Sequence, residues 1–412
     1  MNTLPKLQIK ISVKSIGLFA GVLYYIFCYI SCYEKIPSRL NSIFLYFFVG
    51  MGLIHFLLTK GSAFNKPYFK WYLSFMLFSL IGLPIAMIFA EVTGWFDTFY
   101  QMIVSLLICN SLMAFVDNAE DLKKIGKAHI VGAVALVGLL ACAGQLHIDE
   151  RLGTTATGNA NIFASMYMIA AIYAVWIFTL SGTKSEKIFA FISWLIIMYA
   201  LLLSGGRKFV IVPIVFLYII LIFKLDKYGK RHIAFYTLGV AAIVIGLYFL
   251  IMNVDILYRS IGYRMKYLIN QITGNGQIGA SNTLRSELRR LAFTEGWESP
   301  LFGHGFDSFK FIGKSKLNFF AYSHNNWTEM WYNGGIMGLV IYYSLYYKIV
   351  KRSWKIRKVN QTTALLGLAG IVSIFIFEYG GVDYYTYPIQ SFICLTSILV
   401  FAKEGEGNHE QT

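Results

Sequence analysis

Hydrophobic positions along the chain fall into long, nearly continuous runs separated by short polar stretches. A membrane-spanning helix needs about 20 mainly apolar residues. Twelve runs approach that length, near 14–33, 40–59, 71–90, 98–116, 128–146, 160–180, 187–204, 208–224, 233–252, 328–348, 361–379 and 384–402. One connection is long, from Asn253 to Asn326. Inside it Leu284, Leu288 and Leu291 recur at helical spacing across 283–297, while Gly274, Gly276 and Pro300 mark turns. The pattern predicts an all-α polytopic membrane protein with about twelve transmembrane helices and a large outward loop containing short helices. Its expected organisation is 1–252 for spans one to nine, 253–326 for the extracytoplasmic loop, and 327–412 for spans ten to twelve and a polar cytoplasmic tail.

Composition agrees with the pattern. The chain of 412 residues is 57% hydrophobic and 17% aromatic, with 14% charged residues and a mean hydropathy of +0.58. A soluble domain carries about 25% charged residues. The net charge of +15 invites a nucleic-acid partner, but the cations lie mostly in short connections, where they set orientation in a bilayer. Basic segments are the amino terminus, `TKGSAFNKPYFK`, `KLDKYGKRH` and `KIVKRSWKIRKVN`; the alternate connections `AEVTGWFDTFY`, `HIDERLGTTATGNA` and `EYGGVDYYTY` are acidic or nearly neutral. With twelve spans every basic connection falls on one side, so both termini are expected in the cytoplasm. The amino terminus lacks a small-residue cleavage site and reads as a retained span. The five cysteines sit in or beside apolar runs, and neither a disulfide framework nor a metal site follows from them.

Polar chemistry gathers on the side opposite the basic connections, in Gly158-Asn159 with Asn161, in `SGGRK` (Ser204 to Lys208), in `TLRSELRR` (Thr283 to Arg290), and in Ser323-His324-Asn325-Asn326 with Glu329 one turn deeper. Two readings fit Arg207 with Lys208: a snorkelling pair at the interface, and an anion clamp facing a cavity. Arg285 and Arg289 lie four apart on one helix face, where two guanidiniums hold a diphosphate by bidentate bonds; a solvated basic face, or one meeting anionic lipid head groups, fits the same spacing. His147, beside Asp149 and Glu150, reads as a surface group, and His304 lies in the glycine-flanked turn `PLFGHGFDSF`. His324 precedes a span rich in Trp327, Trp331 and Tyr332. A lone histidine there is commonly structural, yet neutral imidazole is also the commonest general base. Gly334, Gly335 and Gly338 are small residues at helix-packing spacing.

The order of these parts resembles the superfamily of O-antigen ligases and lipid-linked polysaccharide polymerases. The matching pieces, from about 150 to 345, are `TGNANIFA`, then `SGGRK`, then `LRSELRRLAFTEGWESPLFGHGFDSF`, then `SHNNWTEMWYNGGIMGLV`. His324, Asn325, Glu329, Gly335 and Gly338 match the family's His-Asn, acidic and glycine pattern, and Arg285 stands in the place of its loop arginine. Leu288 stands where family members often carry an aromatic residue, so Arg285 and Arg289 both remain eligible for that place.

The resemblance implies a GT-C-like, inverting, metal-independent glycosyl transfer on the outer face of the bacterial plasma membrane, with no cofactor. The donor it implies is a glycan on undecaprenyl diphosphate; the acceptor is a lipid-linked repeat unit in polymerases and a lipid A core in ligases. Arg207 and Arg285 are the expected clamps on the leaving diphosphate and His324 the expected base. Arg289, Asn325, Glu329, Asn159, Asn161 and Lys208 are the expected substrate-binding residues. Partners implied are the lipid-linked glycan, the bilayer, and the chain-length regulator and flippase of the same pathway. Between the two activities, a composition rich in Lys, Ile, Tyr and Phe, as in low-GC genomes with capsule or exopolysaccharide clusters, favours a Wzy-like polymerase. A flippase of similar span count predicts repeated halves and charges near the midplane, and a non-catalytic scaffold predicts tolerance of changes at Arg207, Arg285 and His324.

Overall fold

A computed structural model describes residues 12–402 apart from 90–91, 147–150, 155–157, 226–229 and 275–278. The basic amino terminus up to Ile11, His147 with Asp149 and Glu150, Gly276 and the polar tail beyond Ala402 lie outside the described residues. The described elements are helical: α1 Val13–Ile30, α2 Arg39–Leu58, α3 Pro67–Ile81, α4 Leu83–Phe89, α5 Val92–Phe115, α6 Ala119–Cys142, α7 Ala160–Leu180, α8 Lys184–Leu203, α9 Arg207–Leu225 and α10 Lys230–Asn253. After short turns come α11 Tyr263–Thr273, α12 Ala280–Glu295 and α13 Phe309–Leu317, then α14 Asn326–Ile356, α15 Gln361–Glu378 and α16 Tyr387–Phe401.

Each apolar run of the sequence coincides with a helix, the third with the pair α3 and α4, which part at Gly82. Nine spans among the described residues are long and apolar enough to cross a membrane. Of the three remaining runs, α9 is an apolar helix of 19 residues that opens on Arg207 and Lys208, and α16 has 15 residues. The α14 helix buries Asn326, Glu329 and Asn333 in its first turns and continues past the expected end through `KIVKRSWKI`. The chain is a polytopic helical membrane protein.

Side chains at the helix starts explain where the runs begin to coil. Ser12, Asn118, Asn159, Thr183, Asn325 and Asn360 each accept a bond from a backbone N–H in the first turn that follows, which satisfies donors that have no partner in the helix. The centre of the bundle is α7, with 83% of its apolar window buried against α6, α8, α9 and α16, whereas α10 buries 6% and lies at the periphery. Tyrosines pack the interior while their hydroxyls reach backbone carbonyls: Tyr72 donates to Tyr384 O at 3.0 Å, Tyr167 to Ala133 O at 2.8 Å and Tyr29 to Met166 O at 2.8 Å. Such a ring buries apolar area without leaving its polar end unpaired.

A second, small core lies in the segment between α10 and α14. Leu288, Ala292, Phe309 and Tyr332 close on one another, with Leu284 and Leu291 alongside. The leucine stripe therefore faces α13 and α14, and Arg285 and Arg289 lie half-buried on the flank beside it. A strap from Pro300 to Gly305 holds this segment on α14: His304 N and Gly305 N donate to Tyr332 O and Asn333 O at 2.9 and 3.0 Å, and Ile336 N and Met337 N donate to Pro300 O and Leu301 O at 2.9 and 3.2 Å. These bonds exist because α14 opens at Gly335, whose φ of 59° and ψ of −161° are non-helical. Only glycine takes that conformation without strain. Gly334 and Gly338 play the packing part expected of them, with Phe78 of α3 against both.

Candidate active site

Three turns meet at one end of the bundle: Ser204–Gly206 between α8 and α9, Ser323–Asn325 before α14, and Tyr379–Thr386 between α15 and α16. At the first, Gly205 has φ of 68°, and the sharp reversal sets Arg207 and Lys208 at the start of α9. The Arg207 guanidinium donates to Arg264 O at 2.6 Å and to Asn282 Oδ1 at 2.9 Å, which ties α9 to α11 and α12. Lys208 Nζ donates to Gly380 O at 2.6 Å and lies 4.1 Å above the Phe377 ring. It thereby fixes the third turn to the first.

Arg151, which the sequence reading passed over, joins the group. Its Nε donates to Ser204 O at 2.7 Å and its Nη2 to Asn161 Oδ1 at 2.9 Å, while Asn159 caps α7 by accepting from Asn161 N at 2.9 Å. Asn159 and Asn161 are thus engaged in holding the cationic turn. Burial, with Arg264 and Arg285 nearby, pushes Arg151 down to about 10. The Arg285 guanidinium is half-buried and lies among Tyr322, Arg264 and Arg289; burial first, then the two arginines, lowers it below its usual value. Arg289 donates from Nη2 to Ser286 Oγ at 3.1 Å and covers the Tyr379 ring at 5.5 Å. Among the described residues, none of Arg151, Arg207, Lys208, Arg264, Arg285 and Arg289 forms an ion pair with a carboxylate.

His324 stands in the same field. Its φ is 60°, in the left-handed region, and its ring lies 4.4 Å from that of Tyr322. The flanking peptide is held on every side. Ser323 N donates to Glu329 Oε2 at 2.6 Å, Asn325 Oδ1 accepts from Trp327 N and Thr328 N at 2.9 and 3.0 Å, and Asn325 Nδ2 donates to Tyr379 O at 3.2 Å. Glu329 Oε1 accepts from Asn333 Nδ2 at 3.2 Å, so both carboxylate oxygens brace the protein itself. The imidazole makes no hydrogen bond to a described residue. Burial, then Arg285, Lys208 and Arg289, hold it down to about 3, so it is neutral at physiological pH.

Behind the third turn lies an acidic pair that the sequence reading took only as an orientation cue. Glu378 accepts from Tyr346 OH at 2.8 Å and from Tyr343 OH at 2.9 Å; Asp383 Oδ1 accepts from Tyr342 OH at 3.3 Å, and its Oδ2 is buried with no hydrogen-bond partner among the described residues. Asn326 connects this pair to the histidine turn, because its Oδ1 accepts from Asp383 N and its Nδ2 donates to Tyr343 OH, both at 3.2 Å. The available signal was two carboxylates bounded by apolar runs, since ionisable residues at membrane depth are functional by default. His304, by contrast, is buried and stacked on Tyr332 at 4.3 Å, with Nδ1 3.2 Å from Tyr332 O; it belongs to the strap.

Fold and site together define a helical membrane protein that keeps, at one end of its bundle, cations in no ion pair with a described carboxylate and the imidazole of His324 beside them. Residues 169–343 match the family model Wzy_C, described as O-Antigen ligase. The match is a similarity of that stretch to O-antigen ligases and supports the superfamily of O-antigen ligases and polymerases. It contains Arg207, Lys208, Arg285, Arg289, His324, Asn325 and Glu329, and leaves Arg151, Asn159, Asn161, Glu378 and Asp383 outside. No curated protein matches the chain.

Proposed function

We propose that this protein polymerises polysaccharide at the outer face of the bacterial plasma membrane, moving a growing glycan from undecaprenyl diphosphate onto a hydroxyl of a second lipid-linked repeat unit. The observation that carries the reading is a connected set of cations, with Arg285, Lys208 and Arg289 acting on His324 and with Arg151, Arg207 and Arg264 close to Arg285, none of them in an ion pair with a described carboxylate. Unpaired cations in a half-buried setting favour an anion of high charge, and a diphosphate meets that condition.

The chemistry then divides among the groups. The acceptor oxygen attacks the anomeric carbon from the face opposite the diphosphate, and the carbon–oxygen bond to phosphorus breaks with its electron pair left on the diphosphate. The anomeric configuration inverts. Arg207 and Arg285 stabilise the charge that develops on the leaving group; a guanidinium carries five N–H donors, and Arg207 spends two of them on protein. Preorganised donors of this kind supply stabilisation without reorganising at the moment of reaction. His324 takes the acceptor proton. Arg289 reaches the diphosphate from the rim, Asn325 and Glu329 hold the histidine turn, Asn159 and Asn161 hold Arg151, and Lys208 holds the turn at Gly380. In this reading the cations do the work of a metal ion.

Ligation to a lipid A core or other acceptor is the second reading, favoured by the description of the matching family model. Deletion of the gene followed by gel analysis of surface glycan separates the two. Single repeat units on the surface lipid are the expected result; full-length lipid-linked polymer left unattached would replace the polymerase with a ligase, and an unchanged glycan ladder would overturn both.

A further inference from the structure

The end of α12, the turn after it and the strap that crosses α14 carry a row of large apolar side chains that the described cores do not cover. Phe293 is 52% exposed, Trp297 61%, Leu301 60% and Phe302 45%. They are nevertheless held firmly. Trp331 Nε1 donates to Phe293 O at 3.1 Å, the Trp297 and Trp331 rings lie 5.0 Å apart, and Gly296 gives Trp331 the room to lie against the turn. Ordered and exposed apolar area of this extent calls for a covering phase.

Its position on α14 says which. Ile336 N and Met337 N bond to Pro300 O and Leu301 O, so Leu301 and Phe302 lie level with Ile336 and Met337. Those two residues, with Val340 one turn further, are themselves exposed and apolar, on a helix packed between the membrane spans α3 and α15. The apolar row is therefore continuous with the surface that α14 presents to lipid. Trp297 and Trp331 stand about a turn nearer the helix start, where tryptophan belts mark the bilayer interface. Of the two acids in the segment, Glu298 turns back to His304, with 3.9 Å between Oε2 and Nε2, and Glu295 pairs with Lys316.

We propose that Phe293, Trp297, Leu301 and Phe302 form an interfacial anchor that sinks into the lipid leaflet on the site's side of the membrane. The inference rests on α14 crossing the membrane and not on the choice of polymerase or ligase. Its consequence lies along α12, where Arg285, Arg289 and Phe293 follow at four-residue steps on one face. Pinning Phe293 in the leaflet fixes the arginines at the level where a lipid-held diphosphate emerges. The anchor takes acyl chains and the apolar edge of the headgroup region.

The test is site-directed spin labelling of the full chain in lipid nanodiscs. Cys142→Ser and Cys32→Ala remove the exposed and half-buried thiols, while Cys28, Cys109 and Cys394 are buried. Labels go on Trp297→Cys, Phe302→Cys and, as the aqueous reference, Glu287→Cys on the exposed side of α12. Collision with oxygen relative to a water-soluble nickel chelate is expected to be several-fold higher at 297 and 302 than at 287. A ratio equal to that at 287, the result a water-facing glycan platform gives, overturns the anchor. Protection from both reagents overturns it too, since protein then covers the row. The readout needs no transfer activity, so it stands or falls apart from the proposed reaction.

Discussion

The His324 side chain is exceptional in its turn, because its neighbours are all bonded and it makes no hydrogen bond to a described residue. Ser323, Asn325 and Asn326 are held by Glu329, Tyr379 and Tyr343, while the imidazole meets only the Tyr322 ring and a field of cations. Its removal therefore takes away chemistry before structure. Asparagine tolerates the left-handed backbone that the position demands, so His324→Asn is expected to keep the helical content and thermal stability of the parent while transfer in detergent falls by ~10²–10⁴-fold; a near-parental rate would take His324 out of the reaction. The pH profile carries a second signature. Protonation silences a base, and burial with Arg285, Lys208 and Arg289 holds the imidazole down to about 3 in the free protein. A diphosphate bound as proposed would offset that repulsion and raise the imidazole toward its ordinary value. The acid limb of kcat is therefore expected at higher pH than that of kcat/KM, since the two report the substrate complex and the free enzyme; coincident limbs would refute the electrostatic account. The same field ranks the loop arginines. Arg289 is spent on Ser286 and Tyr379, whereas Arg285 bonds to no described residue and lies closer to the other cations. Arg285→Ala should cost about 10²–10³ in kcat, the scale of losing one donor to developing charge, and Arg289→Ala clearly less, measured side by side on the same donor.

Among the elements, α14 does the most to build the site, and its decisive feature is a break. Gly335 leaves the helix at φ of 59°, and a Cβ there would stand 2.6 Å from the Leu301 carbonyl carbon. Gly335→Ala is expected to destabilise the protein by roughly 1–3 kcal/mol from backbone strain alone and to loosen the strap. Gly239→Ala in α10, with nothing within 4 Å of its added carbon, is expected to be neutral or slightly stabilising in the same thermal melt. Equal effects at the two glycines would show that the break is not needed. The contrast explains what sequence could and could not reveal. Each apolar run became a helix because length and periodicity act locally, and Arg207, Arg285, His324 and Glu329 were legible because polar groups beside apolar runs are rare. The break at Gly335 was not legible, since three glycines at packing spacing also describe an unbroken helix. Nor was Lys208 bonding Gly380, 172 positions away, or Arg151 reaching Ser204: these partners are chosen by tertiary packing. Asp383 and Glu378 were hidden for a different reason, because a short acidic connection reads equally well as a charge that sets orientation.

Across the whole molecule the arginine cluster near His324 stands apart from the ion-paired lysines at the opposite end of the bundle. At the end that holds the α1 and α6 starts, Lys14 pairs with Asp117 and Asp121, Lys123 with Glu120, Lys124 with Asp121 and Lys127 with Glu186, at 2.6–3.2 Å. At the other end Lys310 and Lys316 pair with Asp307 and Glu295, but Arg151 and Arg207 bond to carbonyl and amide oxygens and, like Arg264, Arg285 and Arg289, to no described carboxylate. A cation surrounded by neutral acceptors keeps its charge available, so the second end is the one prepared for an anion. Basic residues in short connections favour the cytoplasmic side, and the connection beside Lys184 lies at the end of Lys14 and Lys127 while α12 lies at the end of the arginine cluster. If the donor is a lipid diphosphate on the outer face, Glu287→Cys on α12 must react with a membrane-impermeant maleimide in intact cells. Lys184→Cys at the start of α8 must react only after permeabilisation, with Cys142→Ser as the background for both. Labelling in the reverse order would set the cationic end in the cytoplasm, where nucleotide-activated donors are at hand, and the lipid-diphosphate reaction would lose its physical reason.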